Sequence, residues 1–174
     1  SKVGGVDAEK TYNVLMSDDA RWGRLNMDDV VVDRESDRNA GMAKQNYLRL
    51  SQALITEGKT EKAVASLDKG IEFFPNNKFA YDYYMIPWAG IYYEAKADAK
   101  ANDIVETIYN RYTDELDYYN SLDPKFTQAY QNQVQEALAV LQRLGQVTRE
   151  YKQLEMADKI DSVFYKEVGK LNLR

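Results

Sequence analysis

Carboxylates and tyrosines are the side chains of this sequence that could do chemistry. Adjacent acids occur at Asp18-Asp19, Asp28-Asp29 and Asp114-Glu115, the last pair followed by Asp117. A carboxylate pair cleaves glycosides only when a cleft holds the two groups ~5–9 Å apart. Calcium needs about six to eight oxygens, and no D-x-D-x-D-G loop is present to gather them. Carboxylates are rarely buried, so these pairs read as solvated faces. A weak surface ion in the Asp18–Asp29 loop is the alternative.

The tyrosines are more unusual. There are 14, and nine lie between Tyr81 and Tyr119. Helical spacing lets Tyr92, Tyr109 and Tyr112 face a core, but Tyr83, Tyr84, Tyr93, Tyr118 and Tyr119 cannot all do so. Exposed tyrosine suits peptide or sugar contact, because the ring is rigid and the hydroxyl bonds outward. The competing reading is packing against neighbouring turns or a further domain. Trp22, in an irregular stretch, reads as a packing anchor, and the Val30–Val32 run is expected to be pinned beside it.

The sequence contains no histidine and no cysteine. Thiolate sites, zinc sites and His-based triads are therefore excluded. So is the residue that most often moves protons near neutral pH. No Gly-rich phosphate loop is present. The reading is of a chain without catalytic residues, cofactor or metal. A net charge of −5 argues against nucleic acid, whose phosphates demand a basic surface. The longest mostly apolar run, Tyr83 to Tyr93, is interrupted by Pro87 and Gly90 and is too short to span a bilayer. The chain opens at Ser1 without an initiating Met, which reads as a piece of a longer polypeptide.

The elements that position these residues are helical. A length of 174 residues and 44% hydrophobic content suit one helical domain with a real core. Residues 1–6 should fray. Asp7 should cap a short helix whose Ala8, Tyr12, Leu15 and Met16 share a face. Residues 17–33 read as irregular. A long helix should begin near Arg34, with Ala40, Ala43, Tyr47, Leu50 and Leu54 on one stripe, and stop at Gly58. A second, capped by Thr60, carries Ala63, Leu67, Gly70 and Ile71 and closes at Pro75. The next should cover about Lys78 to Ala95 with Met85, Trp88, Ala89 and Tyr92 inward. Pro87 is expected to kink or split it. Asp98 should cap a helix bearing Ala101, Ile104, Val105, Ile108, Tyr112 and Leu116. Asp123 and Pro124 should start a helix that reaches Glu150. A last helix runs from about Gln153 to Val168.

A shift of 38 residues lays the second hairpin on the first: Leu50 on Trp88, Leu54 on Tyr92, Ala63 on Ala101 and Leu67 on Val105. About four residues are inserted near Asn76–Tyr81 relative to a repeat of ~34. Lys96 stands where the turn Gly should be, and Leu144-Gly145 before Ala157 faintly echoes the pattern.

This order of aromatic, Leu, small, large, then Ala, large and Pro resembles the tetratricopeptide repeat (TPR) family. The resemblance implies an all-α, right-handed α–α superhelix of about seven helices. It would hold two to three degenerate repeats with capping helices. Residues 1–33 form the N-terminal helix and irregular segment, 34–120 two hairpins, and 121–174 a C-terminal helix pair. The succession WGRLNMDD, YLRLSQALITEGK, LDKGIEFFP, AYDYYMIPWAGIYY and LDYYNSLDP also resembles the soluble C-terminal tail of bacterial multispanning membrane proteins related to protein O-mannosyltransferases. That likeness implies a non-catalytic appendage on the periplasmic side of the inner membrane. Its sugar-transfer residues would then lie in an upstream membrane part.

The expected function is a protein-interaction or scaffold module. Its partner would be a protein or peptide segment, and the resemblance implies the membrane part of the same polypeptide as one such partner. The alternative is an accessory carbohydrate-handling domain that uses the tyrosine cluster. The groove of such a stack is lined by the first helix of each hairpin. The candidate groove residues are Arg49, Gln52, Tyr83, Gly90, Tyr93, Glu94, Gln146 and Arg149. Gly90 should leave space in the groove floor, Tyr83 and Tyr93 supply stacking area, and Arg49 and Glu94 set polarity. The mixed charge of these positions does not support a clamp for a terminal carboxylate.

Overall fold

The computed structural model describes residues 5–123, 125 and 129–172. It is all-α, with seven α-helices and no strand among the described residues. They are α1 (Ala8–Leu15), α2 (Arg34–Thr56), α3 (Thr60–Phe73), α4 (Ile86–Glu94), α5 (Asp98–Ser121), α6 (Gln131–Glu150) and α7 (Leu154–Asn172). The chain divides into two compact units. One comprises Ser1–Tyr81 with Ile91–Asp98, the other Asp82–Gly90 with Ala99–Arg174.

In the first unit α1 packs on α2, and α2 on α3. Asp7 caps α1 by accepting a 3.1 Å bond from the Lys10 amide, as its position predicts. Asp33 caps α2 by accepting from the Ser36 amide at 2.7 Å, which holds its carboxyl below the usual range. The α2 stripe is buried at Ala40, Ala43, Tyr47, Leu50 and Leu54. Ser51 brings the two helices close, its hydroxyl donating to the Ala63 carbonyl at 3.2 Å. Thr60 is not a cap. It is the first helical residue of α3, behind Lys59, whose side chain makes no capping bond.

Trp22 does anchor the segment between α1 and α2. Its Nε1 donates to the Tyr47 hydroxyl at 3.1 Å, and its ring meets Phe74 edge-on at 5.7 Å. Lys78 Nζ ties down the carbonyls of Asp28 and Val30. Val31 is not pinned: it is 89% exposed, because the run is extended and alternates its side chains. The insertion near Asn76–Tyr81 is an irregular link. Its Asn76 Oδ1 accepts from the Tyr81 amide at 2.8 Å.

In the second unit α6 packs on α7. The helix expected from Lys78 starts later. Asp82 caps a single 3₁₀ turn, Tyr83–Met85, which feeds α4. Pro87 therefore falls on the second residue of α4, near the seam where helix type changes. A first-turn proline forfeits little there, so α4 is not kinked at mid-length. Asp98 is the first residue of α5 and sits at its positive end. The expected first helical residue Pro124 lies outside the described residues, as do residues 1–4 of the stretch expected to fray. Regular α6 begins at Gln131.

One local motif occurs at the ends of α2, α4 and α6. Gly58 has φ +73°; its amide bonds the Ile55 carbonyl, and the next amide bonds that of Leu54 at 2.8 Å. Lys96 has φ +60°, with the same two bonds to Tyr93 and Tyr92. Lys152 has φ +61°, with bonds to Arg149 and Thr148. This is the Schellman cap, in which one left-handed residue satisfies the last helical carbonyls. Counting from that residue, the small position five later is Ala63, Ala101 or Ala157, each fully buried. Eight earlier stand Leu50, Trp88 and Leu144, all buried. The faint echo at Leu144-Gly145 thus shares the turn, the buried small residue and the buried large residue of the first two hairpins.

Candidate functional site

The candidate groove residues are positioned by α2 and α4 in the first unit and, in the second, by the 3₁₀ turn before α4, by α4 and by α6. On α2, Arg49 and Gln52 are exposed and share a face, with Leu50 and Leu54 buried beside them. Glu94, at the end of α4, is also exposed. Tyr93 is not on the surface. It is 1% exposed, and burial, with a smaller contribution from the Asp98 carboxylate, pushes its hydroxyl up to about 12. Its ring is core, not groove wall.

The reason is legible in α4 itself. The stretch IPWAGIYY is apolar on nearly every side, so α4 leaves open only the narrow face of exposed Pro87, half-buried Gly90 and exposed Glu94. Ile86, Trp88, Ala89, Ile91, Tyr92 and Tyr93 are all buried. Assigning one inward stripe to this helix was the error that placed Tyr93 outside.

In the second unit Tyr83 is 48% exposed and meets Tyr84 edge-to-face at 5.9 Å. Gly90 does not open a floor. A Cβ built on this half-buried residue would stand in ordinary contact with the Tyr151 hydroxyl at 3.7 Å, so the Tyr151 ring, and no wider opening, faces it. Gln146 is exposed and accepts from Arg143 at 3.4 Å. Arg149 is paired with Asp161, tying α6 to α7. Arg49 with Gln52, and Gln146 with Arg149, are the candidate pairs that share a helix face.

Several other titratable groups have structural partners. Tyr92 is buried and donates to Asp68 at 2.8 Å; burial first, then Asp68, raise its hydroxyl far above the ordinary value. Glu9 receives Lys59 and Lys62, whose ammonium groups hold its carboxyl below the usual range. Glu167, 4% exposed, accepts from Asn120 and pairs with Lys170. Asp29 is bridged by Arg24 at 3.2 Å. Among the described residues no group of three carboxylates could hold a metal ion.

Sequence reasoning missed an open cleft of about 520 Å³ in the second unit. It is lined by Asn102 and Glu106 of α5 and by Lys152, Leu154, Met156 and Lys159 at the α6–α7 turn. Lys159 lies 3.6 Å from Glu106 and over the Tyr109 ring at 4.6 Å. The signal was Lys152 at the left-handed turn position, which starts α7 where the cleft needs it. No helix among the described residues is long and apolar enough to cross a membrane. No protein-family model, curated protein or solved structure matches the chain.

Proposed function

We propose that this chain is a non-catalytic protein-interaction module built as a TPR-like superhelix. The observation that carries the reading is the hairpin register at Gly58, Lys96 and Lys152, with its buried Ala five residues on. Successive copies of one hairpin stack so that side chains from several repeats are presented together, and binding is the use to which that build lends itself. The partner is a protein segment, in another chain or in a membrane part of the same polypeptide. The resemblance to tails of O-mannosyltransferase-related membrane proteins supports the latter, with the module on the periplasmic side. Arg49, Gln52 and Glu94 in the first unit, and separately Gln146 in the second, are the exposed positions assigned to partner contact.

A photocrosslinking amino acid at Gln52, Glu94 or Gln146 of the full polypeptide tests this. Crosslinks from each of these positions to a discrete peptide segment, absent when the group is placed at exposed Val14 or Tyr165, are the expected result. Equal labelling from all five sites would overturn the reading. A second reading, an accessory carbohydrate-handling domain, is supported by the exposed rings of Tyr83, Tyr84 and Tyr118. Titration with neutral oligosaccharides should then shift the NMR signals of those tyrosines, and unchanged signals would dismiss it.

A further inference from the structure

The chain's charge and its exposed rings meet on the C-terminal half of α5. From Asp103 to Asp123 the sequence holds six carboxylates and one cation, Arg111, a net −5 equal to that of the whole chain. Arg111 is committed to Glu115 at 3.0 Å, and Glu106 faces Lys159. Asp114 and Asp117 are exposed and have no ion pair among the described residues. No basic residue stands in the last turn of α5. The carbonyl end of a helix already carries partial negative charge, so these acids add to the field there instead of relieving it.

An ordered aromatic platform adjoins them. Tyr118 is 57% exposed, and its place four residues after Asp114 sets its ring beside that carboxylate. Its ring meets Tyr119 edge-on at 5.5 Å, and Tyr119 stacks on Tyr130 at 5.2 Å and 27°. Rings held by one another lose little freedom when a ligand lands on them. A ring face attracts cations, and unpaired carboxylates give charge-assisted hydrogen bonds. A planar guanidinium can use both at once. A neutral sugar would gain nothing from the negative field.

We propose that Asp114, Asp117 and Tyr118, backed by Tyr119 and Tyr130, dock an arginine-bearing basic segment of a partner polypeptide. The proposal rests on the interaction-module reading and gives the partner its chemistry. The site includes none of the candidate groove residues.

The test is fluorescence anisotropy with a labelled Gly/Ser peptide carrying spaced arginines, alongside its citrulline and glutamate versions. The arginine peptide should bind and the other two should not. Tyr118→Ala should weaken binding roughly tenfold, and Asp114→Asn with Asp117→Asn at least as much, with melting temperatures unchanged. Glu155→Gln with Asp158→Asn removes the same charge from α7 and should leave binding intact. Equal weakening by that control pair, or indifference to Tyr118→Ala, would reduce the effect to bulk charge and overturn the proposal. So would a dimer in sedimentation that Tyr118→Ala dissociates, since a second copy would then be the occupant. If the citrulline or glutamate peptide binds as well, the basic assignment falls while the module reading stands. If no peptide binds but crosslinks from Gln52 and Gln146 persist, again only this assignment falls. If both fail, the module reading falls too.

Discussion

The α2–α3 and α6–α7 hairpins, one in each unit, follow one backbone plan with different side chains. Gly58 makes the left-handed turn in the first and Lys152 in the second. Four residues before it, Leu54 is replaced by Thr148, buried and donating to the Leu144 and Gly145 carbonyls at 3.0 Å. Nine residues after it, fully buried Leu67 is replaced by Asp161, whose side chain is 17% exposed and paired with Arg149. Gly145 leaves room for that carboxylate: a Cβ there would stand 2.8 Å from Asp161 Oδ1. The plan needs a small residue at each close approach, a left-handed turn residue and filled volume. It does not need the filling to be apolar, provided that each polar atom finds a partner.

Exchanging the two solutions should give the largest effect. Leu67→Asp places a carboxylate in a fully buried position with no cation built to meet it. A loss above about 4 kcal/mol, read as failure to melt cooperatively, is expected. Asp161→Leu is the reverse change. Its partner Arg149 is 48% exposed and can return to water, so thermal melting should show a neutral or stabilising change. Comparable damage from both substitutions would mean that the hairpins do not share a plan.

Overpacking comes next. Ala101 is fully buried at the position shared with Ala63 and Ala157. Ala101→Leu should cost ~1–3 kcal/mol in chemical denaturation. An unchanged denaturation midpoint would show that the register between α4 and α5 is misplaced.

The tyrosines of α4 sharpen the contrast through pH. Tyr92 and Tyr93 are held above their ordinary value of 10.0, Tyr93 at about 12. Above about pH 10 the unfolded chain sheds these protons while the folded chain keeps them. The unfolded state then binds fewer protons, so their contribution to stability is complete below pH 10 and declines as pH rises toward 12. Tyr92→Phe should remove part of that alkaline decline. It should also cost about 1–2 kcal/mol at neutral pH through the lost Asp68 bond. Identical alkaline profiles for variant and parent would contradict the buried placement.

The turns should give the smallest effects, of opposite sign. A side chain at positive φ costs roughly 1 kcal/mol that glycine avoids. Lys96→Gly and Lys152→Gly should each raise the melting temperature slightly, whereas Gly58→Ala should lower it.

Legibility followed the same contrast. The α2–α3 hairpin could be read because Gly58, Ala63, Leu67 and Pro75 announce themselves by type. The α6–α7 hairpin was only glimpsed, since Lys152, Thr148 and Asp161 each meet the backbone requirement in a residue that usually signals something else. Burial of Tyr92, Tyr109 and Tyr112 agrees with their spacing; of the five tyrosines that spacing could not bury together, Tyr83, Tyr84 and Tyr118 are exposed and Tyr93 is buried. Tyr93 is buried where a groove position was expected, because its cover comes from a distant part of the chain and periodicity within the helix does not record it. The pairing of Arg149 with Asp161 was not legible, because the acid lies twelve residues further on, across the turn.

The backbone at Lys152 is the most direct test of the repeated hairpin on which the functional reading rests. A positive φ gives an intense intraresidue NOE between the amide and α protons in NMR. Gly58, Lys96 and Lys152 share that conformation, so strong cross-peaks are predicted at both lysines, with slowly exchanging amides at Ala97 and Gln153. A weak cross-peak at Lys152, with φ in the ordinary helical range, would make α6–α7 an unrelated helix pair and remove the third copy.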